Sequence, residues 1–331
     1  MLTAYHARMT NPMTILCPGQ GAQAVGMGTA WASAHPESRA IFDRADAVLG
    51  DTLGTPLSAL CFEGPAERLN KTDAAQPAIF VTSVASWHGV CAIAGHDPAA
   101  APLSAAAGLS LGEYTALHIA GAVSFEDGLK LVALRGQAMQ EAAEASPSGM
   151  VALIGADEDS ATELCEKALK KMADEPESNR VLVPANFNAP GQVVVSGSSK
   201  ACDLAEQVAG EMSLRATRLA VAGAFHSPLM APAADRLRAA LESVEISAPR
   251  CPVMSNATGT PHSAEPGSIK ERLIEQLTGP VRWAENCAYL NGHHGPEQGA
   301  TPFELAPGKT LAGLMRRIDR GVKVTSNDTP A

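Results

Sequence analysis

Gly108-Leu109-Ser110-Leu111-Gly112 has the spacing of a G-x-S-x-G elbow. In that turn a serine sits between a strand and a helix. Glycines two before and two after let the backbones pass at close range, and Oγ is lifted clear at the helix N-terminus. The turn also aims the next amide, that of Leu111, at the position of a developing oxyanion. A plain helix N-cap serine can carry the same five letters. The apolar, small-residue run 103–108 before Ser110 and the apolar helical run to Ala120 after it are what an elbow requires.

A serine is a weak nucleophile without a base. The chain has nine histidines. His6, His35, His96, His262, His293 and His294 lie in polar, Gly- or Pro-rich surroundings, and His88 and His118 fall inside apolar helical patterns as packed residues. His226 differs: it follows the apolar run Val221-Ala222-Gly223-Ala224-Phe225, read as a strand end, and precedes Ser227-Pro228 at a helix start. Strand ends of α/β proteins are where ligands bind. Gly19-Gln20-Gly21-Ala22-Gln23-Ala24 fits the G-x-G-x-x-A dinucleotide fingerprint, but that reading needs a strand-end acid roughly 20 residues on. Asp43 and Asp46 lie in a helical pattern instead. A backbone amide from this loop completing an oxyanion hole is the alternative.

These residues need elements to hold them. Residues 14–17 read as a buried strand breaking at Pro18-Gly19 into a Gly-rich loop. Apolar spacing predicts helices over 37–49, 74–94 and 125–143, the last carrying Arg135. The middle of the chain changes character: strand 150–154, helix 160–172, strands 181–183 and 192–196, helix 200–212 and strand 215–221. This β-α-β-β-α-β order is that of a ferredoxin-like unit. It is placed at 146–221, inserted into a larger α/β body over 13–145 and 222–331. The body resumes with a helix to Leu241, a strand at 252–254, a helix over 268–277 and a strand-loop-helix at 303–317.

The 331 residues, 46% apolar and 18% charged, suffice for a large core. A net charge of −10 argues against nucleic acid, whose binders cluster cations to displace phosphate counterions. The seven cysteines are scattered and odd in number, which suggests neither a disulfide framework nor a metal knuckle. No apolar run approaching the roughly 18–20 residues of a membrane span is read, and no signal-peptide core. A cytoplasmic chain without membrane partner is expected. The first dozen residues read as an extension or a misassigned start.

Seven stretches, in order, resemble the malonyl-CoA:acyl carrier protein transacylase family: Pro18-Gly19-Gln20-Gly21-Ala22-Gln23, residues 108–114 around the elbow, Arg135-Gly136-Gln137-Ala138-Met139, Asn186-Phe187-Asn188-Ala189-Pro190-Gly191-Gln192, Gly223-Ala224-Phe225-His226-Ser227, Gln276-Leu277 with Pro280-Val281-Arg282-Trp283, and Pro307-Gly308-Lys309. The resemblance implies an α/β-hydrolase-like body with an inserted ferredoxin-like subdomain. It also implies malonyl transfer from malonyl-CoA to acyl carrier protein in fatty acid biosynthesis. Ser110 would be nucleophile, His226 base, and the main-chain carbonyl of Gln276 the group that orients His226. Amides of Gln20 and Leu111 would form the oxyanion hole, Arg135 would pair with the malonyl carboxylate, and Met139 and Asn186 would contact substrate. Phe225 would narrow the space at the malonyl α-carbon, as the segment before the histidine does in related polyketide domains that select malonyl. Such acyl transfer requires no metal or redox cofactor, with coenzyme A entering as substrate, and a monomer is expected. One departure stands out: the family usually has His directly before the nucleophile, and this chain has Leu109. A serine hydrolase or thioesterase, a polyketide-pathway acyltransferase, and a non-enzymatic carrier-docking scaffold are the competing readings.

Overall fold

The computed structural model describes residues 11–330; residues 1–10 of the expected extension lie outside them. Strand β1 (Met13–Cys17) is buried at every position, as a strand covered on both faces must be. It runs parallel to β2 (Leu103–Gly108) on one side and β7 (Thr301–Leu305) on the other, and β8 (Thr325–Asn327) adds a parallel edge. The order is β2-β1-β7-β8. Because all four strands point one way, their C-terminal ends share one edge, and the chain leaves that edge in loops.

Helices α1 (Thr29–Ala34), α2 (Pro36–Leu49), α3 (Leu57–Glu63) and α4 (Ala66–Leu69) lead to α5 (Thr72–Ala94); α6 (Gly112–Ile119) follows β2, and α7 (Phe125–Ala145) lies along α5. Against the sequence expectation, α5 is long and apolar enough to cross a membrane by length and composition. Most of it is buried inside the fold, as suits a helix hydrophobic on all sides.

A second sheet is antiparallel and local. β3 (Ser148–Ile154), α8 (Glu158–Lys170), β4 (Leu182–Ala189), β5 (Gln192–Ser198), α9 (Ser199–Glu211) and β6 (Arg215–Arg218) follow in sequence, with sheet order β4-β5-β3-β6. This unit has its own core, including Val151, Leu153, Leu164, Val195 and Val208. β4 is tied to the rest of the chain through Phe187 N–H to Val281 O at 2.9 Å and Val281 N–H to Ala185 O at 2.8 Å. The chain then continues through α10 (Ala231–Glu242), α11 (Pro266–Thr278), α12 (Trp283–His294) and α13 (Thr310–Ile318).

Several boundaries differ from expectation. The strand expected to reach Val221 stops at Arg218, where Val221 N–H turns back to Leu219 O. The strand at 252–254 is reduced to isolated bridges, Ala106 with Val253 and Met254 with Pro261. Helix α12 escapes the apolar pattern because polar Asn286 shares its buried face with Trp283, Cys287 and Leu290. β8, with the sequence Thr-Ser-Asn, has no apolar signature at all.

Candidate active site

Ser110 has φ 52°, a left-handed conformation that costs energy in a residue with a Cβ. The glycines around it explain why the turn is possible. A Cβ on Gly108 would lie 1.8 Å from the Gly112 carbonyl carbon, and one on Gly112 would lie 2.1 Å from Cys17 O. The loop after β1 presses on the same turn: a Cβ on Gly19 would fall 2.3 Å from Leu109 O, and Leu109 N–H donates to Cys17 O at 3.1 Å. This packing brings Gln20 beside the elbow. Neither the Gln20 nor the Leu111 main-chain N–H donates to an acceptor among the described residues.

His226 Nε2 lies 2.8 Å from Ser110 Oγ, and His226 Nδ1 lies 2.6 Å from the main-chain carbonyl of Gln276. A carbonyl can only accept, so Nδ1 carries the proton and Nε2 presents its lone pair to the hydroxyl. Burial, helped by the charge of Arg135, pushes the imidazole pKa down to about 4. The ring is therefore neutral at physiological pH and able to take a proton. The strand-end argument for His226 does not hold, since β6 ends at Arg218. The histidine is instead held in a turn with φ 57°, ahead of Ser227, whose Oγ accepts from Leu229 N–H.

Arg135, 1% exposed, projects from α7 and donates to Gln76 Oε1 at 2.6 Å, Gln276 Oε1 at 3.0 Å and Ser110 Oγ at 3.0 Å. The guanidinium also lies over the Tyr114 ring at 5.5 Å. Among the described residues no carboxylate pairs with it directly. Burial pushes its pKa down, yet a guanidinium keeps its charge in proteins. A buried cation with two amides and a hydroxyl for neighbours is poised for an anionic ligand.

These groups open on a cavity of about 560 Å³ lined by Gln20, Leu109, Ser110, Arg135, Met139, Asn186, Phe225 and His226, with Asn188, Met150 and Val194 from the antiparallel sheet. Leu111 and Gln276 are buried behind this lining. Met139 accepts a hydrogen bond on sulfur from Gln76 Nε2 at 3.3 Å.

Sequence reasoning passed over four participants. Gln76, a polar residue in an otherwise apolar helix, could have been noticed for that reason. Asn256 Oδ1 accepts the Ser110 N–H at 2.6 Å and its Nδ2 donates to Gly108 O at 2.8 Å. Glu113 is fully buried and takes His262 Nε2 at 2.6 Å. His262 had been set aside as a residue of polar surroundings. Only an acid directly after the elbow, at the head of an apolar helix, hinted at this group.

Known proteins resemble the chain over nearly its whole length. The family model described as "Acyl transferase domain" matches residues 14–300. The malonyl CoA-acyl carrier protein transacylase of Bacillus subtilis is 40% identical over 96% of this chain and 94% of its own length. The crystal structure of an acyl carrier protein S-malonyltransferase from Vibrio cholerae superposes with a TM-score of 0.84 at 38% identity, covering 96% of this chain and 97% of that one. A malonyl-transacylase solved in complex with its type II PKS acyl-carrier protein gives 0.85 at 36% identity over 96% of each chain. With Ser110, His226 and Arg135 all inside the matched region, the chain belongs to the acyl transferase family, among the malonyl-CoA:acyl carrier protein transacylases.

Proposed function

We propose that the chain moves a malonyl group from malonyl-CoA to the pantetheine thiol of acyl carrier protein through a malonyl ester on Ser110. The observation that carries this reading is the single hydroxyl shared by His226 Nε2 at 2.8 Å and, at 3.0 Å, the Arg135 guanidinium, to which no carboxylate is directly bonded. An acyl group that ends in a carboxylate can then be attacked at one end and held at the other. Ser110 Oγ bonds to the thioester carbonyl carbon while its proton passes to His226 Nε2. Amides of Gln20 and Leu111 receive the oxyanion, each such donor being typically worth about 2.7–4 kcal/mol in the transition state. The carbon–sulfur bond breaks, and coenzyme A leaves as a thiol with the proton from His226. The carrier's pantetheine thiol then gives its proton to His226, attacks the ester carbonyl, and releases Ser110 as the hydroxyl.

Met139, Asn186 and Phe225 act as walls for the acyl group and its pantetheine arm, with Phe225 favouring malonyl over bulkier acyl groups. The chemistry needs no metal or redox cofactor. The finer architecture belongs to the same reading: an α/β-hydrolase-like body over 13–145 and 222–331 and a ferredoxin-like unit over 146–221. Element order β3-α8-β4-β5-α9-β6 and strand order β4-β5-β3-β6 support that division. A cytoplasmic monomer serving fatty acid biosynthesis, with neither nucleic acid nor membrane as partner, fits this role. The test is product analysis with malonyl-CoA in the presence and absence of acyl carrier protein. Malonyl-carrier is expected as the main product. Free malonate formed at the same rate with and without carrier would make the chain a hydrolase.

A further inference from the structure

Glu113 is a fully buried carboxylate and is not part of the cavity lining. Its Oε1 accepts from His262 Nε2 at 2.6 Å, and its Oε2 accepts from the Asn256 main-chain N–H at 3.0 Å and from Gln276 Nε2 at 2.7 Å. Two of these three donors belong to residues that grip the nucleophile. Asn256 holds the Ser110 N–H, and Gln276 Nε2 also donates to Ser110 O at 2.9 Å. Both backbone polar groups of the left-handed serine are thus held by the side chains of two residues that one carboxylate anchors, Asn256 through its main-chain N–H and Gln276 through its side-chain amide.

Gln276 is the hub. Its main-chain carbonyl fixes the tautomer of His226, and its side-chain Oε1 receives Arg135. A carboxylate can only accept, so it forces the amide nitrogen of Gln276 toward itself and leaves the oxygen for the guanidinium. Arg135 and Glu113 form in effect an ion pair stretched across an amide, and the charge of Glu113 acts on Arg135 favourably. The buried cation is balanced from behind, while its substrate face carries no carboxylate of the protein. His262 Nδ1 is buried without a partner, so this ring contributes one donor, and it gives it to Glu113.

We infer that Glu113, seated by His262, is a positioning residue that sets the Gln276 amide and through it both Arg135 and His226. The inference rests on the proposed malonyl transfer for its substrate readout but has a second readout independent of it. Glu113→Gln keeps the size and offers an amide that can donate, which allows the Gln276 amide to turn and face Arg135 with its nitrogen. Two rates are measured per titratable serine: labelling of Ser110 by a neutral fluorophosphonate, and single-turnover acylation by malonyl-CoA and by acetyl-CoA. The expected result is slower labelling, a fall in malonylation on the order of 100-fold, as for other misplacements of about 1 Å, and a reduced preference for malonyl over acetyl. His262→Gln, which keeps an N–H donor, retains more of the preference than His262→Leu. These two variants carry the same readouts if Glu113→Gln fails to fold. Unchanged labelling together with an unchanged malonyl-to-acetyl ratio would make the cluster purely structural and overturn the inference. Wild-type chain that reacts with the phosphonate but takes no malonyl group would instead overturn the proposed function, leaving the labelling rates to judge Glu113.

Discussion

The two sheets contribute to the cavity in different ways. From the C-terminal edge of the parallel sheet come Gln20 after β1 and Ser110 after β2, set against Arg135, His226 and Gln276 from helices and turns packed around it. The antiparallel sheet supplies Met150, Asn186, Asn188 and Val194, which line the space without hydrogen-bonding Ser110, His226 or Arg135. Backbone strain follows the same division. Among the described residues three non-glycine positions have positive φ. Ser110 and His226 are buried or half-buried and hydrogen-bonded to each other, whereas Ser213, with φ 58°, is an exposed residue closing the turn after α9. A strained φ marks a functional position only where the surroundings tie its side chain to a partner.

The sharpest way to break this comparison is to remove the groups on the parallel side. His226→Ala removes the proton acceptor, and the acylation rate should fall by roughly 100- to 10,000-fold. Near-normal acylation would end its role as base. Next comes Arg135→Met, which removes a charge but keeps apolar bulk. Malonyl transfer should drop about 10- to 100-fold, the scale of a lost hydrogen-bonded charge, and acetyl transfer much less. Equal losses on both substrates would mean that Arg135 only supports the fold.

The pH profile sharpens the same point. A base works in its neutral form, and His226 is neutral above about pH 4, so acylation should be flat from neutral pH downward and fall only near pH 4. Burial is the main cause of that low value and the Arg135 charge the second. Arg135→Met should therefore move the acid limb up, part of the way toward the ordinary imidazole value of about 6.5. An acid limb unmoved by the substitution would contradict the electrostatic coupling.

Much of the parallel side was legible because its constraints are local. The glycine spacing around Ser110 records close backbone contacts within five residues, and Arg135 stood out in a helix with apolar flanks. His226 was found for the wrong local reason, a strand end that is a turn. Glu113, Asn256 and His262 were not found. Their partners lie far away in sequence, Glu113 and His262 being 149 positions apart, and such pairing leaves no periodicity in the chain. Pro261 and Ser263 around His262 gave a polar impression of a residue that is buried.

On the antiparallel side smaller effects are expected. Asn188 lines the cavity and its buried Oδ1 has no partner, which suits an acceptor for a substrate N–H. Asn188→Ala should raise the KM for substrate by about tenfold or less, one hydrogen bond's worth, with kcat nearly kept. A collapse of kcat would place the antiparallel sheet in the chemistry and erase the distinction between the two regions. The smallest change is expected at Leu109, which lines the cavity beside the nucleophile while its backbone is held by Cys17. Leu109→His should remain active, with a shift in the ratio of transfer to hydrolysis as an apolar, water-excluding side chain is lost. Inactive wild type rescued by this substitution would contradict the account of the site.

Malonyl transfer by this route requires that the hydroxyl shared by His226 and Arg135 carry the acyl group. Intact-mass analysis after mixing wild-type and Ser110→Ala chains with malonyl-CoA alone tests it directly. One malonyl adduct is expected on the wild-type chain, located at Ser110, and none on the variant. A full adduct on Ser110→Ala would contradict it.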